Sequence, residues 1–119
     1  MSLIWEQGFN IKRGKEEAYQ KWMTENDAAY KEAAPPGVEY LGTCIVVMSS
    51  EKQAGEYRTL LRIESFASVD TLFEVARDEK SIWGRLSREE TKFWDLPVGA
   101  EFSFGIYRPL IEAVIWDIS

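Results

Sequence analysis

The strongest constraint on this chain is where its hydrophobic period switches between two and about 3.6 residues, because each switch marks a change between strand and helix. From Leu3 to Ile11 the period is two, with Leu3, Trp5, Phe9 and Ile11 on one side and Ile4, Glu6, Gly8 and Asn10 on the other, which predicts a half-buried strand. From Lys15 to Ala34 it becomes helical: Tyr19, Trp22, Met23 and Tyr30 share a face, Glu16, Glu17, Lys21, Glu25 and Lys31 fall largely opposite, and Pro35-Pro36-Gly37 stops the helix. Val38 to Met48 is β-rich and apolar on both parities, with Val38, Tyr40, Cys44, Val46 and Met48 against Leu41, Ile45 and Val47. After a polar connection from Ser49 to Glu56, Tyr57 to Ile63 alternates again as a third strand.

Ser68 is the expected N-cap of a second helix, with Asp70 in its first turn and Leu72, Phe73, Val75 and Ala76 as its apolar side. Helical spacing resumes at Ile82, Trp83, Leu86, Phe93 and Trp94 after the polar Arg77–Ser81 patch, so two offset pieces are expected, the second ended by Pro97 and Gly99. The apolar density of Leu110 to Ile118 makes it the candidate last strand, with Pro109 separating it from Tyr107 and Arg108 in irregular chain.

The order β-α-β-β-α-β is the split β-α-β, or ferredoxin-like, arrangement of an α+β protein. It has an antiparallel sheet with two helices on one face, and right-handed crossovers put the first and third strands in the centre. One domain spans residues 1–119. The sheet face away from the helices is bare in a single copy, and a second strand that is apolar on both sides needs cover. A second copy of the chain supplies it, so a homodimer is expected.

Composition then removes most chemistries. There is no histidine, hence no Ser-His or Cys-His pair, no His-held zinc or iron and no His-ligated haem, and no metal or cofactor is expected. Cys44 is the only cysteine and reads as a buried packing thiol. A formal net charge of −6 disfavours nucleic acid and anionic membranes as partners. No apolar run reaches the roughly 20 residues of a membrane span, and the N-terminus lacks a basic and then apolar leader, so a soluble, cytoplasmic protein is expected.

The opening strand with FNIKRGKEEAYQKWM, the passage YRTLLRIESFASVDTL and the stretch ARDEKSIWGRL resemble the dimeric α+β barrel superfamily, which includes the antibiotic-biosynthesis-monooxygenase-like and NIPSNAP-like small domains. The resemblance covers nearly the whole chain. It implies homodimers whose sheets face each other and a small, often aromatic or hydrophobic ligand held between sheet and helices. Members of the group include monooxygenases without metal or flavin, isomerases, and haem degraders with a His ligand. The last pattern is absent here, and no catalytic residue carries over.

The residues offer two kinds of site. Arg58 and Arg62 share a parity on the third strand with Glu64, next to Glu6 and Asn10 of the first strand. They are either a cross-strand ion-pair patch inside the dimer, with Glu6 and Glu64 as partners, or a pair of guanidinium groups that binds a ligand carboxylate or phenolate. Asn10, Tyr40, Tyr57, Arg58, Arg62, Tyr107 and Arg108 are the candidate ligand contacts, Tyr107 and Arg108 at a cavity mouth. The adjacent pairs Glu16-Glu17, Asp78-Glu79 and Glu89-Glu90 diverge by about 100° on a helix and read as solvated surface rather than acid/base pairs. Lys12-Arg13-Gly14-Lys15 lacks the spacing of a phosphate loop. Two functions remain: a small-molecule-binding protein or cofactor-independent monooxygenase or isomerase, and a non-catalytic homodimer whose core is filled by its own aromatic rings. An open cavity with several convergent polar groups separates them.

Overall fold

The computed structural model describes residues 2–51, 55–96 and 103–110. The elements are β1 (Leu3–Phe9), α1 (Glu16–Ala33), β2 (Val38–Ile45), β3 (Tyr57–Ile63), α2 (Phe66–Arg77), α3 (Ile82–Thr91) and β4 (Ser103–Tyr107). The sheet runs β2-β3-β1-β4 with every pairing antiparallel, so the two central strands are β1 and β3, as the crossover argument requires. This is the ferredoxin-like α+β fold, with the second helical unit in two pieces.

Alternation along β1 sends Leu3 and Trp5 into the main core. There they meet Tyr40, Leu61 and Ile63 from the sheet and Tyr30, Leu72, Trp83 and Leu86 from the helices. A second cluster forms at the far end of β1, where Phe9, Ile11, Tyr19 and Trp94 are buried together and the Trp94 ring stacks on Phe9 at 4.5 Å. The backbone closes the same corner: Lys12 N–H donates to the Phe93 carbonyl and Asp95 N–H to the Asn10 carbonyl, both at 2.8 Å. Chain following α3 is therefore drawn onto β1, and the helix stops at Thr91, ahead of the Pro97 and Gly99 expected to end it. Those two residues lie outside the described residues.

Three local expectations are corrected. In β2 the register shifts between Tyr40 and Gly42, a bulge that adds one residue and inverts the parity after it. Tyr40 still faces inward, but Thr43 and Ile45 now follow it, opposite Thr59 and Tyr57, while Cys44 turns to the outer face opposite Arg58 and is exposed rather than buried. The strand ends at Ile45, leaving Val46 half-buried and Val47 and Met48 94% and 93% exposed. At α2 the N-cap is Ser65, in extended backbone, and Ser68 is a buried first-turn residue whose N–H donates to the Ser65 carbonyl at 3.0 Å. The fourth strand is Ser103–Tyr107, ahead of Pro109. Its inward residues Phe104 and Ile106 pair opposite Gln7 and Trp5, with Phe104 stacked on the Trp5 ring, so cross-strand aromatic packing supports this strand, and Tyr107 belongs to it rather than to irregular chain. Of the expected strand Leu110–Ile118, residues 111–118 lie outside the described residues.

The break between α2 and α3 has a specific construction. Ser81 caps α3 by accepting from Gly84 N–H at 2.9 Å while its hydroxyl donates to the Val75 carbonyl at 2.6 Å, tying the start of one helix to the end of the other. Gly84 sits so close that a Cβ there would stand 2.6 Å from the Asp78 carbonyl and 2.9 Å from that of Val75, backbone atoms that cannot rotate away. Gly-to-Ala in a helix ordinarily stabilises by about 0.5–1 kcal/mol. Here the sign reverses: Gly84→Ala is expected to destabilise by about 1–3 kcal/mol, read as a lower midpoint in urea at unchanged m.

Candidate functional site

Between the inner sheet face and the helices lies a cavity of about 210 Å³. Its apolar wall is built from Trp5, Leu61, Leu72, Phe73, Ala76, Trp83 and Trp94, and its polar groups are Gln7, Tyr30, Tyr40, Thr59, Ser87, Glu90 and Thr91. The aromatic side is braced by its own stacking: Tyr30 lies parallel to Tyr40 at 5.0 Å and meets Trp83 edge-on at 5.0 Å.

Glu90 is the unusual member, a carboxyl only 7% exposed. Tyr19 Oη donates to its Oε2 at 2.7 Å and Tyr30 Oη to its Oε1 at 2.5 Å. Burial pushes the Glu90 carboxyl above its ordinary value, and the Tyr30 and Tyr19 hydroxyls, with the nearby Trp94 indole, oppose that shift by favouring the charged form. Burial, followed by the neighbouring Glu90 charge, drives Tyr19 and Tyr30 upward, so both stay protonated and act as donors. Tyr40 is also pushed up by burial, against the effect of its 2.6 Å hydrogen bond with Thr43.

Glu90 corrects the expectation of a solvated Glu89-Glu90 pair. The signal was present: Trp83, Leu86 and Glu90 are spaced by three and four residues, so the carboxyl lies on the apolar stripe of α3, whereas Glu89 is only half-buried.

Of the seven candidate contacts, Tyr40 alone reaches the cavity. Asn10 has a structural task, its Oδ1 accepting from Glu56 N–H at 2.9 Å. Tyr57 packs on Phe9 and, edge-on, on Tyr19, and lines a separate groove of about 370 Å³ against α1; burial, then the Glu16 and Glu56 charges, raise its pKa. Arg58 and Arg62 occupy the outer sheet face. Arg58 pairs with Glu6 at 2.8 Å and reaches Glu51 at 3.7 Å, while its buried Nη2 has no partner among the described residues. Arg62 pairs with Glu39 at 2.9 Å, not with Glu6 or Glu64, because the β2–β3 register sets Glu39 directly opposite it whereas Glu6 lies opposite Leu60. Tyr107 is the last residue of β4, half-exposed and opposite Ile4 on the outer face, and Arg108 follows it half-buried. Among the described residues no cluster of three or more Cys, Asp and Glu is placed to hold a metal ion, and no helix is long and apolar enough to cross a membrane.

A carboxyl whose pKa is raised on folding contributes stability that is complete below its unfolded value and is lost as pH rises through the folded one. The melting-temperature difference between the wild-type chain and Glu90→Gln is therefore expected to favour wild type most near pH 4 and to be smaller at the alkaline end of a series running from about pH 4 to about pH 9. Melts of both proteins across that range check it, and a difference that does not change with pH contradicts the assignment.

A scan against protein-family models finds no match, and neither does a search of curated proteins. Solved structures do match. A NIPSNAP family protein from Agrobacterium tumefaciens superposes with a TM-score of 0.63 at 14% identity, covering 91% of this chain and 85% of that one. An uncharacterised NIPSNAP-like domain protein from Burkholderia xenovorans gives 0.63 at 8% identity, with 92% and 86% covered. The heme-degrader MhuD from Mycobacterium tuberculosis, with two hemes bound in its active site, gives 0.51 at 13% identity, with 92% and 97% covered. These neighbours belong to the ferredoxin-like dimeric α+β barrel superfamily, and the chain shares their fold.

Proposed function

We propose that the protein is a homodimeric small-molecule-binding protein whose cavity takes a compact aromatic or hydrophobic molecule, and that any chemistry it performs is cofactor-independent oxygenation of an activated phenol or enol, with dioxygen as the electron acceptor, or its isomerisation. The observation that carries this reading is an aromatic-walled cavity on which Tyr40, Thr59, Ser87 and Glu90 converge. Its volume of about 210 Å³ suits a single ring; a dry apolar cavity of about 150 Å³ is enough to hold benzene. A porphyrin does not fit a space below the roughly 300–1,000 Å³ of drug-sized sites, and the chain offers no His to ligate its iron. No step through haem is therefore derived.

The homodimer rests on the outer sheet face. Ile4 and Leu60 are half-buried there and Leu41 and Cys44 are exposed, while the charges of that face are paired within the chain, Arg58 to Glu6 and Arg62 to Glu39. A second copy could cover the face through an isologous contact without stranding those charges.

Two measurements test the reading. Saturating toluene is expected to raise the melting temperature of the wild-type chain and not that of Ala76→Phe, which fills the cavity; an unmoved wild-type melt points instead to a non-catalytic domain with a closed core. Sedimentation at micromolar concentration is expected to give twice the 13.7 kDa chain mass, with labelling of Cys44 by a thiol reagent slowing as protein concentration rises. A 13.7 kDa species throughout would refute the dimer.

A further inference from the structure

We infer that Glu90 is the polar anchor of the cavity and that it selects a one-ring aromatic molecule bearing an uncharged O–H or N–H donor, of the phenol or aniline class, while ring carboxylates are rejected. The inference rests on the cavity reading above and adds the ligand's chemistry to it.

A carboxylate has about four lone-pair positions. Tyr19 and Tyr30 account for one on each oxygen of Glu90, which leaves acceptor positions on a side chain that lines the cavity. Around it the wall is ring and aliphatic surface, where an added hydrogen bond to a carboxyl oxygen is worth more than in water.

The wall also determines what is refused. None of its described residues is Lys or Arg. The two arginines that could have received a carboxylate lie on the other side of the sheet, occupied by Glu6 and Glu39. An anionic ligand would thus lose its water, find no countercharge and face a carboxyl group. One further polar group on the wall fits an oxygen- or nitrogen-bearing ring better than a plain hydrocarbon: the buried indole N–H of Trp5 has no hydrogen-bond partner among the described residues.

The test compares toluene, phenol and benzoate, titrated into the wild-type chain and Glu90→Gln at neutral pH, with tryptophan fluorescence as the readout because Trp5, Trp83 and Trp94 line the cavity. Phenol is expected to bind at least about tenfold more tightly than toluene, and benzoate at least about tenfold more weakly than phenol. In Glu90→Gln, where the amide nitrogen replaces one acceptor oxygen with a donor, the phenol preference should collapse towards that of toluene. Equal binding of phenol and toluene to wild type, benzoate binding as tightly as phenol, or a preference that survives Glu90→Gln each overturns the anchor while leaving the cavity reading intact. Absence of binding by all three overturns the cavity reading and the anchor with it. If Glu90→Gln does not fold, the wild-type ratios decide alone.

Discussion

Burying one carboxyl group organises the helical layer of this protein. Glu90 of α3 has to find donors, because an uncompensated charge in an apolar site costs several kcal/mol. It finds two of them on α1, where Tyr19 and Tyr30 are eleven residues and about three turns apart and so share a face. The two hydroxyls fix α3 along α1, and the aromatic rings that carry them pack in turn on Phe9 and Tyr40 of the sheet. Geometry spreads from there: α2 is tied to α3 through Ser81, and the space left between these helices and the sheet is the cavity. Well-packed apolar residues often replace a buried charged group at no loss of stability. Stability alone therefore does not account for an acid at this place.

The sheet performs a second separation. Strand pleating sends Trp5, Leu61 and Ile63 to the helices and Glu6, Arg58 and Arg62 to the other face, so every ion pair the described sheet residues make lies outside the cavity. The same alternation that builds the core thus leaves the cavity without a cation. The bulge between Tyr40 and Gly42 adds to this arrangement, since it keeps Tyr40 inward while the strand beyond it changes sides. Thr43 then reaches both Tyr40 Oη at 2.6 Å and Thr59 Oγ1 at 3.2 Å, holding the tyrosine that the cavity uses.

What the sequence made legible follows from how local each signal is. Period-two and helical stripes survive in a single segment, so β1, α1, β3, the broken second helical unit and the Glu6–Arg58 pair could be read from their own residues. The inversion after Tyr40 could not, because a bulge depends on how the neighbouring strand pairs, and Cys44 was assigned to the wrong face in consequence. The strand Ser103–Tyr107 escaped for a related reason: Phe104 earns its position by stacking on Trp5, a contact about a hundred residues away in sequence that no local pattern reports. Glu90 was legible and overlooked. Reading Glu89-Glu90 as a pair hid that only one of them continues the stripe from Trp83 and Leu86.

The neighbours in structure space share the scaffold at 8–14% identity, which leaves the residues of the cavity wall to decide what each protein does with it. In this chain the wall's titratable groups are held protonated or shifted upward by burial. Tyr19 and Tyr30 hold their protons more firmly than ordinary phenols because burial and the Glu90 charge both oppose ionisation. They donate and cannot serve as bases. Tyr40 is likewise held protonated by burial. Among the described cavity-lining residues Glu90 is the one carboxyl, and burial raises its proton affinity above that of a solvated acid.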